Sequence, residues 1–437
     1  MGISSKIFTG SARAAVNAIR QGQVSAQAYV QHFLDALEAR EPQIRAMAYW
    51  DQDQALRQAA TVDTRLPLAG IPIAVKDALD VQGMPTAYGA QAVFHRQPVD
   101  DAACVARLRH AGAIILGKAT TAEFAYAQPP ITRNPHDVLC TPGGSSSGSA
   151  AGVAAGFFPV SIGTQTGGSI IRPAAFCGVY GFKPTFGRLS RQGLAPFAES
   201  FDTVGWFGRH LEDIALLYIV LMGGALRAPA ALSTANYSPA IAATDAQQPP
   251  RIAMYQGPFW AQASASMQES LLAWADLLQA QPCALPIDMQ QVSAQHRLLM
   301  AVEMVQSQQA VLPQLFTAMS PTLQQLINIG QSADIVQVRQ AYMDLERARL
   351  QLDDWFEENE VDIVLTLAAP GAAPKTQTHT GNSIFNCYWS ALHVPCLGMP
   401  AGQDADGMPL GLQLIARRHY DAPLLHWAEY VRARASQ

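Results

Sequence analysis

GGSSSGSAAGVAAGFFPVSIGTQTGGSIIRPAAFCGVYGFKPT, residues 143–185, decides how this chain is read. Gly, Ser and Ala dominate it, a composition that in a linker gives flexible coil. The interleaved apolar stretches VAAGFFPVSIG and FCGVYGF argue for packed backbone instead, with glycine admitting positive φ and the close approach of other chain segments. Two serine patterns stand out. GSSSG, Gly144 to Gly148, matches G-x-S-x-G with Ser146 central. That elbow needs a strand running into it, and the preceding NPHDVLCTPGG, with two prolines and two glycines, makes a poor strand. It also needs a histidine in reach, for which His393 and His136 are the candidates. GGSII at 167–171 is the second pattern. Two glycines before Ser169 leave several backbone N–H groups unobstructed, as stabilising a tetrahedral oxyanion requires. Taken alone, Gly-Gly-Ser is equally consistent with a serine that caps the following turn.

Upstream, SARAAVNAIRQGQ, VSAQAYVQHFLDALEAREPQ and DQDQALRQAATVD carry apolar residues at three and four spacing and predict helices over 10–60. LAGIPIAVKD predicts a short buried strand. DDAACVARLRHAG predicts an amphipathic helix ending at Gly112, and AIILG a second buried strand. A helix between two strands is the unit of a parallel or mixed sheet, so the class is α/β. GAIILGKA, from Gly112, nearly matches a phosphate-binding loop, but Ala119 stands where the hydroxyl belongs and AIIL is strand core.

Downstream, the Ala/Pro-rich stretch around 225–250 predicts a surface connection and RIAMYQG a strand. Residues 263–358 are mostly helical, VQVRQAYMDLERARLQLDDWFEE being the clearest amphipathic case. VDIVLTLAAPG, HVPCLGMPAG and LGLQLIAR predict strands before a last helix through APLLHWAEYVRARA. The helical middle is expected to cap a sheet formed by the two ends.

At 437 residues, with 49% hydrophobic and 14% charged residues, the chain suits a well-buried enzyme rather than a disordered one. A net charge of -5 supplies no basic footprint for nucleic acid. No apolar run suggests a membrane span or a secretory signal, and the six cysteines are scattered without a C-x-x-C pair. Buried thiols in a reducing cytoplasm are therefore expected, with neither a disulfide framework nor a metal site. Basic charge is carried almost wholly by arginine; the lysines are Lys6, Lys76, Lys118, Lys183 and Lys375. Each lysine is then a residue to explain, because lysine can lose its proton near neutral pH and arginine cannot.

The segment 143–185 resembles the signature segment of the amidase signature family. Flanking blocks match as well: GIPIAVKD, AGAIILGKATTAEFAY, FDTVGWFGRHLEDIALL, VPCLGMPAG and PLGLQLIAR. The likeness covers most of 66–220 and 360–430. It implies a single amidase domain over 1–437: a signature core at 66–220, a variable, mostly helical substrate-side region at 225–360, and a returning core segment at 360–437. The implied fold is a central mixed β-sheet flanked by helices on both faces. The family's lysine falls on Lys76, its bridging serine in a cis peptide linkage on Ser145, and its nucleophile on Ser169, at separations of 69 and 24 residues. The resemblance also implies an oxyanion hole from the backbone N–H groups of Thr166, Gly167, Gly168 and Ser169.

The chemistry is sound on general grounds. A neutral serine needs a positioned base, and a lysine serves only if burial brings its pKa down from about 10.4 toward neutrality. Lys76 closes the apolar run IPIAVK, and Asp77 beside it is expected to face the other way. The implied reaction hydrolyses a small carboxamide to a carboxylic acid and ammonia through a seryl acyl-enzyme, without metal or organic cofactor. Arg172, three residues after Ser169, and Gln165, where aspartate is common, look like the malonamidase branch, whose arginine holds a substrate carboxylate. Both are taken as candidate substrate-binding residues, with pairing of Arg172 to a protein carboxylate as the alternative. Biuret-like, ureide and aryl amides stay open as substrates, as does the amidase subunit of an amidotransferase-like complex. A homodimer is expected, with an accessory subunit left open. Lys118 and Lys183 are expected to be structural contacts.

Overall fold

The computed structural model describes residues 6–90, 95–126, 128–223, 249–310 and 312–435. The surface connection expected around 225–250 therefore lies almost wholly outside the described residues. Among those described, eleven strands form one mixed sheet in the order β1-β3-β2-β4-β6-β5-β10-β11-β9-β7-β8. In chain order these are β1 (Met47–Trp50), β2 (Pro72–Lys76), β3 (Ile114–Ala119), β4 (Val160–Gln165), β5 (Tyr180–Lys183), β6 (Thr203–Gly208), β7 (Ile252–Met254), β8 (Gln281–Pro282), β9 (Ile363–Leu367), β10 (Cys396–Gln403) and β11 (Pro409–Ile415). Helices flank the sheet, as in a mixed α/β protein.

β2 forms because Pro72 supplies an entry residue that needs no ladder N–H, and the following IAV are β-branched or small and wholly buried. It lies between two parallel neighbours, pairing with β3 (Ile73 opposite Ile115) and with β4 (Val75 opposite Ile162). A strand covered on both faces reads as a continuous apolar run, which is why IPIAV was legible. Because β2 and β4 run the same way, their carboxyl ends meet at one edge of the sheet, where α/β folds place their chemistry. Lys76 closes β2 and Gln165 closes β4.

The Gly/Ser/Ala segment is packed. Ser147–Ala155 is a helix whose serines and glycines are buried. At Gly148 a Cβ would come within 2.1 Å of the Ala46 carbonyl oxygen and 2.5 Å of the Thr120 nitrogen, so only glycine lets this helix press against that chain. Ser149 and Ser161 fasten it to β4, Ser149 Oγ donating to Ile162 O at 2.9 Å and Ser161 Oγ to Ser149 O at 2.8 Å.

The middle of the chain does more than cap. β7 and β8 extend the sheet beyond β9, parallel to it. The helix Met289–Ser307 is tied to the loop before β6: Ser200 N donates to Glu303 Oε2 at 2.8 Å and Gln308 Nε2 to Pro196 O at 2.7 Å.

Candidate active site

Lys76 is fully buried at the end of β2. Its Nζ is hydrogen-bonded to two hydroxyls, Ser145 Oγ at 2.8 Å and Thr164 Oγ1 at 2.7 Å. No carboxylate among the described residues pairs with it, and burial lowers its pKa to about 7, with the charge of Asp202 pulling the other way. The other buried lysines are held differently. Lys118 Nζ is 2.9 Å from Asp77 Oδ1 and 2.7 Å from Thr86 Oγ1, while Lys183 Nζ donates to the carbonyls of Val394 at 2.6 Å and Pro184 at 3.1 Å. A carboxylate favours the charged ammonium, and two carbonyls call for two N–H donors, which an amine has in either protonation state. Hydroxyls can donate as well as accept, so Lys76 has neighbours able to give its neutral amine a proton. Asp77 faces Lys118, away from Lys76, as strand alternation requires.

The Gly144–Ser145 peptide bond is cis. Arg172 Nη2 donates to Gly144 O at 2.6 Å, and Ala122 N and Ser147 N donate to Ser145 O at 3.1 and 2.8 Å. Arg172 lies in the first turn of the helix Ile171–Cys177 just after Ser169, so this contact draws the Ser145 and Ser169 segments together. Lys76 and Ser145 are joined directly; Ser169 Oγ makes no hydrogen bond to a described residue.

The loop from Thr166 to Ser169 is held by its carbonyls. His296 Nε2 lies 3.0 Å from Thr166 O, Ser390 Oγ donates to Gly167 O at 2.6 Å, and Arg172 N donates to Gly168 O at 3.1 Å. In a planar trans peptide the N–H of the next residue points opposite to each carbonyl. The amides of Gly167, Gly168 and Ser169 are thus turned away from these partners, and none has an acceptor among the described residues. The next two amides are satisfied: Ile170 N and Ile171 N donate to Gln165 Oε1 at 2.9 and 3.0 Å. A Cβ on Gly168 would sit 2.7 Å from Asn386 Oδ1 and 2.8 Å from Ser383 Cβ, so the close approach of that loop requires glycine. Thr166 Oγ1 donates to Asp202 Oδ1 at 2.6 Å. Burial raises the Asp202 pKa to about 6, while its bonds from Thr166, Phe197 N and Ala198 N oppose the rise.

Gln165 does not sit where a substrate-binding residue would. It is wholly buried, its Oε1 accepts the two isoleucine amides and its Nε2 donates to Ser390 Oγ at 2.9 Å. Both ends of its amide are engaged by protein, so it shapes the turn carrying Ser169. Arg172 has no protein carboxylate as partner among the described residues. Beyond Gly144 O its Nη2 reaches Thr380 Oγ1 at 3.1 Å, its Nε is buried without a hydrogen-bond partner, and burial lowers its pKa to about 10.

The elbow alternative does not assemble. No strand leads into Ser146, whose Oγ donates to Thr164 O at 3.1 Å and accepts from Thr164 N at 3.2 Å. His393 Nε2 and His136 Nε2 are bonded to the carbonyls of Ser200 and Cys177, at 2.8 and 3.0 Å. Gly112 to Ala119 is the entry and body of β3 rather than a phosphate loop. All six cysteines are free thiols, and among the described residues no helix is long and apolar enough to cross a membrane.

Sequence reasoning missed Thr164, Asp202, His296, Ser390 and Asn386. Thr164 was within reach: one residue before Gln165 on a strand beside β2. Asp202 lay in the matching block FDTVGW without a mark of its role. His296 and Ser390 carry no local signal, for each acts on a carbonyl far away in sequence.

The sequence model of the Amidase family matches residues 28–425. A glutamyl-tRNA(Gln) amidotransferase subunit of Salinibacter ruber is 43% identical over 228 residues, 49% of this chain and 44% of that protein. The corresponding protein of Chlamydia pneumoniae is 40% identical over 50% of this chain and 47% of that one. The matched region thus spans about half the length of these curated relatives. Among solved structures, peptide amidase of Stenotrophomonas maltophilia superposes with a TM-score of 0.82 at 27% identity, covering 98% of this chain and 97% of that one. A protein from a vestigial complex described as revealing the origins of an s-triazine catabolic enzyme gives 0.88 at 28% identity, covering 97% and 98%.

Proposed function

This chain belongs to the Amidase family, and we propose that it is an amidohydrolase using Lys76, Ser145 and Ser169. The observation that carries the reading is the buried amine of Lys76, hydrogen-bonded to hydroxyls alone with its pKa brought to about 7. In this reading neutral Lys76 takes the Ser145 hydroxyl proton as Ser145 takes that of Ser169. Ser169 Oγ adds to the amide carbonyl, whose oxygen accepts from the amides of the Thr166–Ser169 loop. The protons return by the same relay to the departing nitrogen as the C–N bond breaks. Water, activated in the same way, then cleaves the ester to release the acid. The test is labelling by a fluorophosphonate probe together with ammonia release from malonamate, aryl amides, ureides and glutamine. Inactivity on every amide, with Ser169 unlabelled, overturns it.

For substrate, the reading extends to a small amide bearing a carboxylate. Arg172 supports this: a buried guanidinium with no protein carboxylate at hand, close to Ser169 in the chain, is poorly compensated until an anion arrives. Since Arg172 also holds Gly144 O, Arg172→Ala should slow all substrates. The specific expectation is a further rise in KM for malonamate-like amides over neutral ones. Equal losses on both sink the carboxylate.

The likeness to amidotransferase subunits favours a second reading, in which the chain releases ammonia for a partner enzyme. Glutamine as the sole good substrate, with activity rising on addition of a partner, would select it.

A further inference from the structure

Thr166 is gripped from two sides. Asp202, just before β6, takes its hydroxyl, and His296 takes its carbonyl. A carbonyl oxygen can only accept, so His296 Nε2 is the donor and the ring, if neutral, is the Nε2–H tautomer. The imidazole is buried, tilted against Phe201 with centroids 4.6 Å apart, on a helix that Glu303 and Gln308 tie to the same 196–202 loop. Its Cε1 is 3.6 Å from where a Cβ of Gly167 would stand, with Ser383 Oγ next at 3.8 Å, so the ring edge borders the space in front of the loop. Burial brings its pKa to about 4, keeping it neutral over the working range.

We infer that His296 is a positioning residue for the oxyanion hole, supplied by the helical middle of the chain. By fixing Thr166 O it fixes the Thr166–Gly167 peptide plane, and with it the direction of the Gly167 N–H. Ser390 does the same for the next plane through Gly167 O. Without the His296 bond that plane is free to rotate, and a donor that must be aimed before the oxyanion forms loses its aim. The inference rests on the reading of Ser169 as nucleophile.

The test compares the parent protein, His296→Leu and His296→Gln, the last placing an amide donor near the Nε2 position. His296→Leu should lower kcat and the rate of fluorophosphonate labelling at Ser169 together, by about 10- to 100-fold. KM should move much less. His296→Gln should recover most of both rates. Parental labelling by His296→Leu overturns the inference, as does a folded His296→Gln as slow as His296→Leu. Should His296→Leu fail to fold, 15N-histidine NMR of the parent decides: an Nε2–H tautomer whose proton shifts when a boronic acid adds to Ser169 is expected. An Nδ1–H tautomer, or an unmoved resonance, overturns it. If Ser169 of the parent takes no label at all, the nucleophile fails first and this inference falls with it.

Discussion

Lys76 Nζ lies 2.8 Å from Ser145 Oγ, with both residues buried. An amine so placed is useful only when neutral, and its pKa of about 7 makes half of it neutral at that pH. Lys76→Ala and Ser145→Ala should each lower kcat by about 10²- to 10⁴-fold. In the parent, kcat/KM should rise with pH through about 7 as the ammonium loses its proton. A steady-state pH profile checks both, and an acidic limb unchanged in Lys76→Ala would assign the titration elsewhere.

Asp202 is the nearby negative charge that raises the Lys76 pKa against burial. Asp202→Asn removes that charge while its oxygen can still accept from Phe197 N and Ala198 N and its NH2 can donate to Thr166 Oγ1. The protonated amine is then less favoured, its pKa falls, and the acidic limb should move to lower pH by about one unit or less. A shift to higher pH contradicts this assignment of charge.

Gln165→Leu tests the reassignment of Gln165 from substrate contact to loop support. The variant strands two buried amides, Ile170 N and Ile171 N, and leaves Ser390 Oγ without its donor. A stability loss of about 1–3 kcal/mol by urea unfolding is expected, with a fall in kcat larger than any rise in KM. A pure KM effect at parental stability would return Gln165 to the substrate.

Neighbouring glycines should behave oppositely. Gly168→Ala forces a methyl to 2.7 Å from Asn386 Oδ1, whereas Gly167→Ala meets nothing nearer than 3.6 Å. Thermal melting should show a clear loss for the first and little change for the second. Because the Gly167 methyl enters the space beside His296 and Ser383, Gly167→Ala should alter the range of amides accepted. A matched drop in melting temperature would mean that the two sites are equally crowded.

The sequence by itself determined the α/β class, the family and the candidate triad. Buried parallel strands such as IPIAVK read as unbroken apolar runs, a lysine among arginines is conspicuous, and ordered motif blocks carry their spacing with them. β4 and β6 were harder: VSIGTQ and TVGWFG are interrupted by glycine, so their pairing, not their propensity, makes them strands. What only the tertiary structure decided is how the site is held. Gln165 turned out to face the protein because the amides of Ile170 and Ile171 meet it there. His296 and Ser390 bind the carbonyls of Thr166 and Gly167 from 130 and 223 residues away. A single hydrogen bond to a remote carbonyl leaves no periodicity and no composition behind. The residues proposed for the chemistry were therefore legible, and those proposed to aim it were not.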